Sequence, residues 1–268
     1  VQGTFFSISS PGEVLMAAKA EVRRALELDP DLAEAHYASG VVKLFLEWEW
    51  AGAEADIRKA LELNPAYGRA YAGLSELMVS TGRAEEALSL LRRARQLDPS
   101  SRVLDGERVF LPWLAGRGQD SLAAAADITA AGRDSSGIRE QIAMTTVDLG
   151  RYSEGIALLQ SRMASPDVDR PSMMAYLARA YDLNGQRTEA QAVIADLLAL
   201  SKQTYVSPVH LAVAYMGVGA RDEAFDWLER AHKERSGFLI YIKAWPAFVP
   251  LHSDPRFADL VRRMGLPP

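Results

Sequence analysis

The 268-residue chain contains no cysteine. That absence excludes disulfide frameworks, thiol nucleophiles and cysteine-ligated metals, and it leaves the redox compartment open. Histidine is nearly as scarce. His36, His210, His232 and His252 never fall four residues apart, so no helical pair of imidazoles is offered to a metal. No apolar run approaches the ~20 residues that span a bilayer, and Phe238–Ile242 is typical of the longest. Charge of one sign is missing too: 30 Lys+Arg against 35 Asp+Glu gives a net −5, with no basic footprint for nucleic acid or an anionic membrane. No basic leader precedes an apolar stretch, and Val1 in place of an initiator Met reads as a cut within a longer protein. The G-x-x-x-x-G-K-[ST], G-x-S-x-G and H-E-x-x-H patterns are absent, and Gly217-Val-Gly219 lacks the third glycine of a dinucleotide loop. These absences point to a noncatalytic protein with no cofactor, no bound metal, no nucleic-acid partner and no membrane insertion. Its expected compartment is the cytoplasm, or the periplasm if a membrane segment lies upstream.

What the sequence has in abundance is a period. Ala25-Leu-Glu-Leu-Asp-Pro30 returns as Ala60-Leu-Glu-Leu-Asn-Pro65 and Ala94-Arg-Gln-Leu-Asp-Pro99, with the prolines 35 and 34 residues apart. An Asp/Asn-Pro step disfavours helix before the proline and lets the proline open the next one. Beyond Pro99 the copies decay, but small residues keep the register: Ala18, Ala53, Ala87, Ser121, Gly155, Ala190 and Ala224. A second series runs Gly40, Ser75, Val109, Ala143, Ala178, Ala212, and a third, Gly82, Gly116, Gly150, Gly185, Gly219, marks a turn. Each period therefore holds two antiparallel helices, A and B, whose small residues allow close approach. Larger apolar residues at 3–4 spacing, such as Leu74, Leu77, Leu88 and Leu91, bury against the neighbours. No such pair buries its apolar face alone, so stability must come from stacking.

The resulting map has an irregular start (1–11), then one B helix within a partial N-terminal repeat (1–31). Six complete pairs cover 32–236, divided at about 66, 100, 136, 171 and 205. A capping segment follows over 237–268, with a last helix near Asp254–Met264. The third pair carries Gly106, Pro112, Gly116 and Gly118 in its first helix and turn, which predicts a kinked, degenerate repeat or a hinge. Trp48 and Trp50 sit in a one-residue insertion. They are expected to plug a gap between helix pairs, with an exposed aromatic anchor as the other reading. His36 is expected to pack as an aromatic would. The arginine clusters 23–24, 92–95 and 262–263 fall late in helices, where they complement the dipole.

These residues resemble the tetratricopeptide repeat, which implies an all-α, right-handed superhelix, an α-solenoid. Glu47-Trp-Glu-Trp-Ala51, Tyr205-Val-Ser-Pro208, Trp227-Leu-Glu-Arg-Ala231, Glu234-Arg-Ser-Gly237 and Leu251-His-Ser-Asp-Pro-Arg-Phe257 further resemble arrays in bacterial multidomain regulators. Those arrays are linked to adenylate-cyclase-like, winged-helix or Ser/Thr-kinase domains, and Lys243-Ala-Trp-Pro246 departs from their pattern. The family resemblance implies a concave groove, lined by A helices, that binds a protein or peptide partner. Carried over by register, the groove positions are Glu34, Tyr37, Val41, Arg69, Glu76, Glu140, Met144, Tyr176, Arg179, Asp182 and His210. Tyr37, Val41, Ala72 and Glu76 replace the Lys and Asn that would clamp a terminal carboxylate, so a ligand with charges of both signs is expected instead. Two other roles follow: a ligand-sensing or self-associating regulatory domain, and a homodimer formed through the open N-terminal end.

Overall fold

The computed structural model describes residues 11–267, with side chains from residue 16 onward, so the expected irregular start lies almost wholly outside the described residues. A lone helix α1 (Pro11–Leu28) precedes six antiparallel pairs. The A helices are α2 (Ala33–Val42), α4 (Gly68–Ser80), α6 (Arg102–Leu114), α8 (Ser136–Asp148), α10 (Arg170–Leu183) and α12 (Pro208–Gly217). The B helices are α3 (Trp50–Leu63), α5 (Ala84–Leu97), α7 (Gly118–Ala130), α9 (Tyr152–Met163), α11 (Arg187–Leu200) and α13 (Arg221–Lys233). Two 3-10 turns, Gly237–Tyr241 and Pro246–Leu251, lead to α14 (Pro255–Arg263). No strand occurs among the described residues. The pairs stack into the all-α superhelix of tetratricopeptide-like units.

Local chemistry explains the boundaries. Asp29, Asn64 and Asp98 each accept a hydrogen bond from the amide two residues on (Asp31 at 3.0 Å, Ala66 at 3.1 Å, Ser100 at 3.2 Å), turning the chain across the proline. At α6 that device is joined by a cap from Ser101, and later units use serine or aspartate caps alone: Ser135 on α8, Asp169 on α10 and Ser207 on α12. The turn glycines Gly82, Gly116, Gly150, Gly185 and Gly219 all hold φ between +73° and +85°, which a Cβ disfavours. Gly217, two residues before the last of these, serves a different need. A Cβ there would lie 2.4 Å from the Arg179 Cα, so α12 rests directly on the backbone of α10.

The small-residue registers mark the closest packing: Ala53, Ala87, Ser121, Ala190 and Ala224 are fully buried. Ala18, of the same series, and Ala25, in the place of Ala60 and Ala94, stay half-buried on α1, and Met16 and Leu28 are each 73% exposed. Pro112 does not break α6; it falls in the final turn of a helix that runs to Leu114. The third unit is in fact fastened, because buried Asp105 collects Arg95 (3.1 Å), Arg133 (2.8 Å) and Arg108 (3.7 Å) from α5, the α7–α8 turn and α6 itself.

The first unit departs most from its neighbours. Its A helix ends in a π-helical turn, Lys43–Glu47, that absorbs the inserted residue. Trp48 then stands 34 residues before Gly82, in the place of a turn glycine, with φ +57°. Both tryptophans are buried, which fits the gap-filling expectation rather than the exposed anchor. They fill the gap between the first unit and the end of the array, however, rather than one between adjacent pairs. Trp50 Nε1 donates to the Met264 carbonyl at 2.8 Å, and Trp48 meets the His232 ring at 5.4 Å and the Arg235 guanidinium at 5.0 Å. Arg235 (φ +52°) is the other described non-glycine residue with positive φ, and it donates to the Glu47 carbonyl at 2.8 Å. Two strained residues thus face each other where the first unit meets the last.

Candidate functional site

The A helices build one inner wall, and the segment after α13 lies along it. Tyr241 reaches Phe45 in the π turn, Glu76 on α4 and Phe110 on α6. Trp245 reaches Trp113 on α6, Tyr176 on α10 and His210 on α12. Leu239, Ile240, Ile242, Ala247, Phe248 and Leu251 are fully buried around these anchors. The segment expected to cap the end of the array therefore fills the concave face.

At the centre of that face is a hydrogen-bonded relay. Trp245 Nε1 donates to the Tyr176 hydroxyl (2.8 Å), and that hydroxyl donates to Asp148 Oδ2 (3.0 Å). Trp113 Nε1 donates to the same oxygen (2.9 Å), and Arg179 Nε reaches Oδ1 at 3.3 Å. Burial, and then the neighbouring Asp148 charge, pushes the Tyr176 phenol well up, so it remains a donor. Burial raises the Asp148 carboxyl as well, against the pull of Arg179 and its three donors. Such a network, satisfied at each link, fixes a single arrangement of the wall.

The predicted groove residues divide according to this segment. Glu76, Tyr176 and His210 are buried beneath it and Arg179 is held on Asp148, so they face the chain's own residues rather than an open groove. Met144 is buried and accepts from Ser172 Oγ at 3.6 Å. Glu140 lies in a junction between units, with Ser136 Oγ at 3.0 Å and Arg162 at 3.4 Å. Asp182 and Val41 are half-buried. Glu34 and Arg69 stay exposed beside Tyr37 and Tyr67, whose rings meet edge to face at 5.4 Å. Burial raises the Tyr67 phenol, while Arg69 opposes and Glu34 adds to the shift, which places all three within electrostatic reach. His36 is half-buried, with Nε2 at 2.8 Å from the Pro30 carbonyl.

Sequence register missed Glu107, Phe110, Trp113, Asp148 and the whole of 237–251. The signal was present for two of them. Glu107 holds the same place in its unit as Gln141, Tyr176 and His210, and Phe110 the same place as Glu76, Met144 and Arg179.

His210 gives the wall a pH dependence. It is buried, packs 5.0 Å from Phe238, and has no hydrogen-bond partner for Nδ1 among the described residues. Burial depresses its pKa below 6.5, against a weaker pull from Asp169. As pH falls below that value the unfolded chain takes up a proton that the folded chain refuses, so this contribution to stability is present above 6.5 and lost toward acid. Denaturant melts from pH 8 to pH 5 should show wild type losing up to about 1.4 kcal/mol per pH unit relative to His210→Gln. A pH-independent difference between the two would refute this.

Residues 44–105 match the family model of the tetratricopeptide repeat. The chain is similar to a tetratricopeptide repeat protein from Parabacteroides merdae, with TM-score 0.63 and 14% identity over 87% of this chain and 92% of that one. It is also similar to the Cut9–Hcn1 hetero-tetramer of the APC/C (TM-score 0.60, 15% identity, 92% of this chain), but spans only 45% of that chain's length. PilW, a type IV pilus biogenesis factor, aligns with TM-score 0.59 at 17% identity over 75% of this chain and 90% of its own. No curated protein sequence matches the chain. The fold is therefore that of a tetratricopeptide-repeat superhelix, a class whose members generally serve as noncatalytic protein-interaction scaffolds. Among the described residues no helix is long and apolar enough to cross a membrane, and no group of three His, Asp or Glu is placed to hold a metal.

Proposed function

We propose that the chain is a noncatalytic scaffold that holds a protein or peptide at the mouth of its concave face, on Glu34, Tyr37, Tyr67 and Arg69. One observation carries this reading. At this end of the inner wall an acid and an arginine are exposed beside two half-buried rings, while the chain's own segment fills the centre. An aromatic pair flanked by both charge signs suits an extended segment of mixed charge. The likeness to the Cut9–Hcn1 hetero-tetramer supports a role in assembly with another protein. Within a bacterial regulator of the kind the sequence resembles, occupancy of this mouth would be the signal passed to an attached effector domain.

A photo-crosslinker at position 67 tests the proposal in cells of the source organism, with one at Arg92, exposed on α5, as the control. A discrete adduct is expected from position 67, weakened at least tenfold by Arg69→Glu. Equal labelling from both positions, or none from 67, would sink the mouth as the partner site.

A further inference from the structure

The last helix pair ends beside α14 in an open basic cleft of about 740 Å³, within the size range of small-ligand sites. Glu229, Arg230, His232 and Lys233 line it from α13, Arg235 from the turn that follows, and Arg263 from α14. The chain's own acids neutralise two of these cations. Arg230 is paired with Glu234 (2.7 Å), and Arg263 with Glu229 (3.0 Å) and Asp259 (2.8 Å). The other two have no carboxylate. The Lys233 ammonium forms no ion pair with a described residue, and the Arg235 guanidinium donates to the Glu47 carbonyl and lays its face on Trp48. Trp48 lies against both His232 and Arg235, and its buried Nε1 has no acceptor among the described residues. The His232 ring registers the excess of positive charge. Burial lowers its pKa and the Arg263 and Arg235 charges lower it further, against Glu229 and the Arg263 backbone.

We propose that this cleft binds a phosphate monoester, held by Lys233 and Arg235 and flanked by His232. The groups left unpaired here, the Lys233 ammonium and Trp48 Nε1, are donors, so the complementary ligand brings acceptors and negative charge. Lys233 and Arg235 together present two unit charges that no carboxylate offsets. A phosphate monoester carries about −1.5 to −2 near neutral pH and matches them, whereas a singly charged carboxylate leaves one unmatched. The Arg235 guanidinium is fixed by its bond to Glu47 and its stacking on Trp48, so it meets the phosphate as a preformed fork. Lys233, on a flexible stem, closes on the same group as a point charge. The site lies apart from the Glu34–Arg69 mouth and goes beyond the scaffold reading. The phosphate can belong to a phosphorylated side chain or to a free nucleotide.

Titration calorimetry on the purified chain at pH 8 tests the site without any partner. The probes are Nα-acetyl-O-phosphoserine N-methylamide and adenosine 5′-monophosphate. Nα-acetyl-aspartate N-methylamide is the singly charged comparison, and sodium chloride at equal ionic strength is the blank. Wild type is expected to bind a phosphate probe saturably, and the aspartate amide about tenfold more weakly or worse. Lys233→Gln, at an exposed position with no ion pair to break, should fold and bind about fivefold more weakly or worse. Lys59→Gln, exposed on α3, should match wild type. The tighter of the two phosphates names the source, a phosphorylated side chain or a nucleotide. Proton NMR of the His232 ring ties the binding to this place, since a saturating phosphate should raise its titration midpoint by about half a pH unit or more. Four results each overturn the assignment: no saturable heat with either phosphate, equal binding of the aspartate amide, equal binding by Lys233→Gln and wild type, or an unmoved His232 midpoint. None of these readouts involves Tyr67 or Arg69, so they stand apart from the crosslinking outcome.

Discussion

Replacing Trp245 with alanine is expected to cost about 4 kcal/mol of folding stability, the range measured for deleting a fully packed large aromatic. Trp245 is buried between Trp113 (5.7 Å), Phe248 (6.1 Å), Phe238 (6.3 Å) and His210 (6.5 Å), so the void left behind has rigid walls. The same change takes the donor from the Tyr176 hydroxyl, which keeps Asp148 as its acceptor. Trp245→Phe separates the two effects. It retains most of the apolar contact and should cost about 1–2 kcal/mol, the loss of one buried hydrogen bond plus a small cavity. With about 2–4 °C lost per kcal/mol in a chain of this size, Trp245→Ala should melt roughly 8 °C or more below wild type. Hydrogen exchange should also accelerate first over 237–251. A melting point within 2 °C of wild type would mean that the segment is a loose appendage.

The second large effect is expected at Asp105. Three guanidinium groups converge on its Oδ1, and the carboxyl is 1% exposed while the arginines keep about a quarter of their surface. Asp105→Ala strands all three at once. Removing one member of a buried ion cluster costs about 3–5 kcal/mol, and partial solvation of the arginines argues for the lower end, about 3. Asp105→Asn keeps the shape and loses the charge, so the gap between the two variants isolates the contribution of packing. As a benchmark, Glu54→Ala, which frees the solvent-exposed Arg58 and Arg83 together, should cost no more than about 1 kcal/mol. Urea melts of the three variants decide the matter, and equal costs at positions 105 and 54 would remove the special status of the cluster. The effect bears on the third unit, which proline and glycine content marks as a degenerate repeat or a hinge. Arg133 also donates to the Pro99 carbonyl (3.1 Å), and Arg102 to the carbonyls of Arg133 and Asp134. Side-chain ties thus hold what the helix propensities leave weak.

The repeat itself was legible because packing at fixed spacing leaves periodic traces. A small residue every 34 or 35 positions is the imprint of two helix backbones in contact, and from Ala53 onward those positions are buried. The left-handed turns were equally plain from their glycines. What the concave face holds was not legible, for a physical reason. Register says that Glu76 and Tyr176 point inward, but it carries no information about a non-repeating segment that arrives from 165 and 69 residues away. Residues 237–251 obey no period, and their prolines suggest an end rather than an occupant. Glu107 was hidden by a different error. It shares its register with Tyr176 and His210, yet the glycines and proline around it made the unit look degenerate.

The meeting of Trp50 with Met264 has a consequence for how the chain reaches its native state. Stacked helix pairs assemble from contacts between sequence neighbours, and such contacts form quickly. The Trp50–Met264 bond joins residues 214 positions apart, so it can form only after the intervening pairs have taken up their curvature. Ring closure is then the last and slowest event. The strained backbone at Trp48 and Arg235 is held by the same junction, through the Arg235 bond to the Glu47 carbonyl. A nascent chain would thus leave Trp50 without its Met264 acceptor until the residues after the final helix are made, and a truncation before Met264 removes that contact for good.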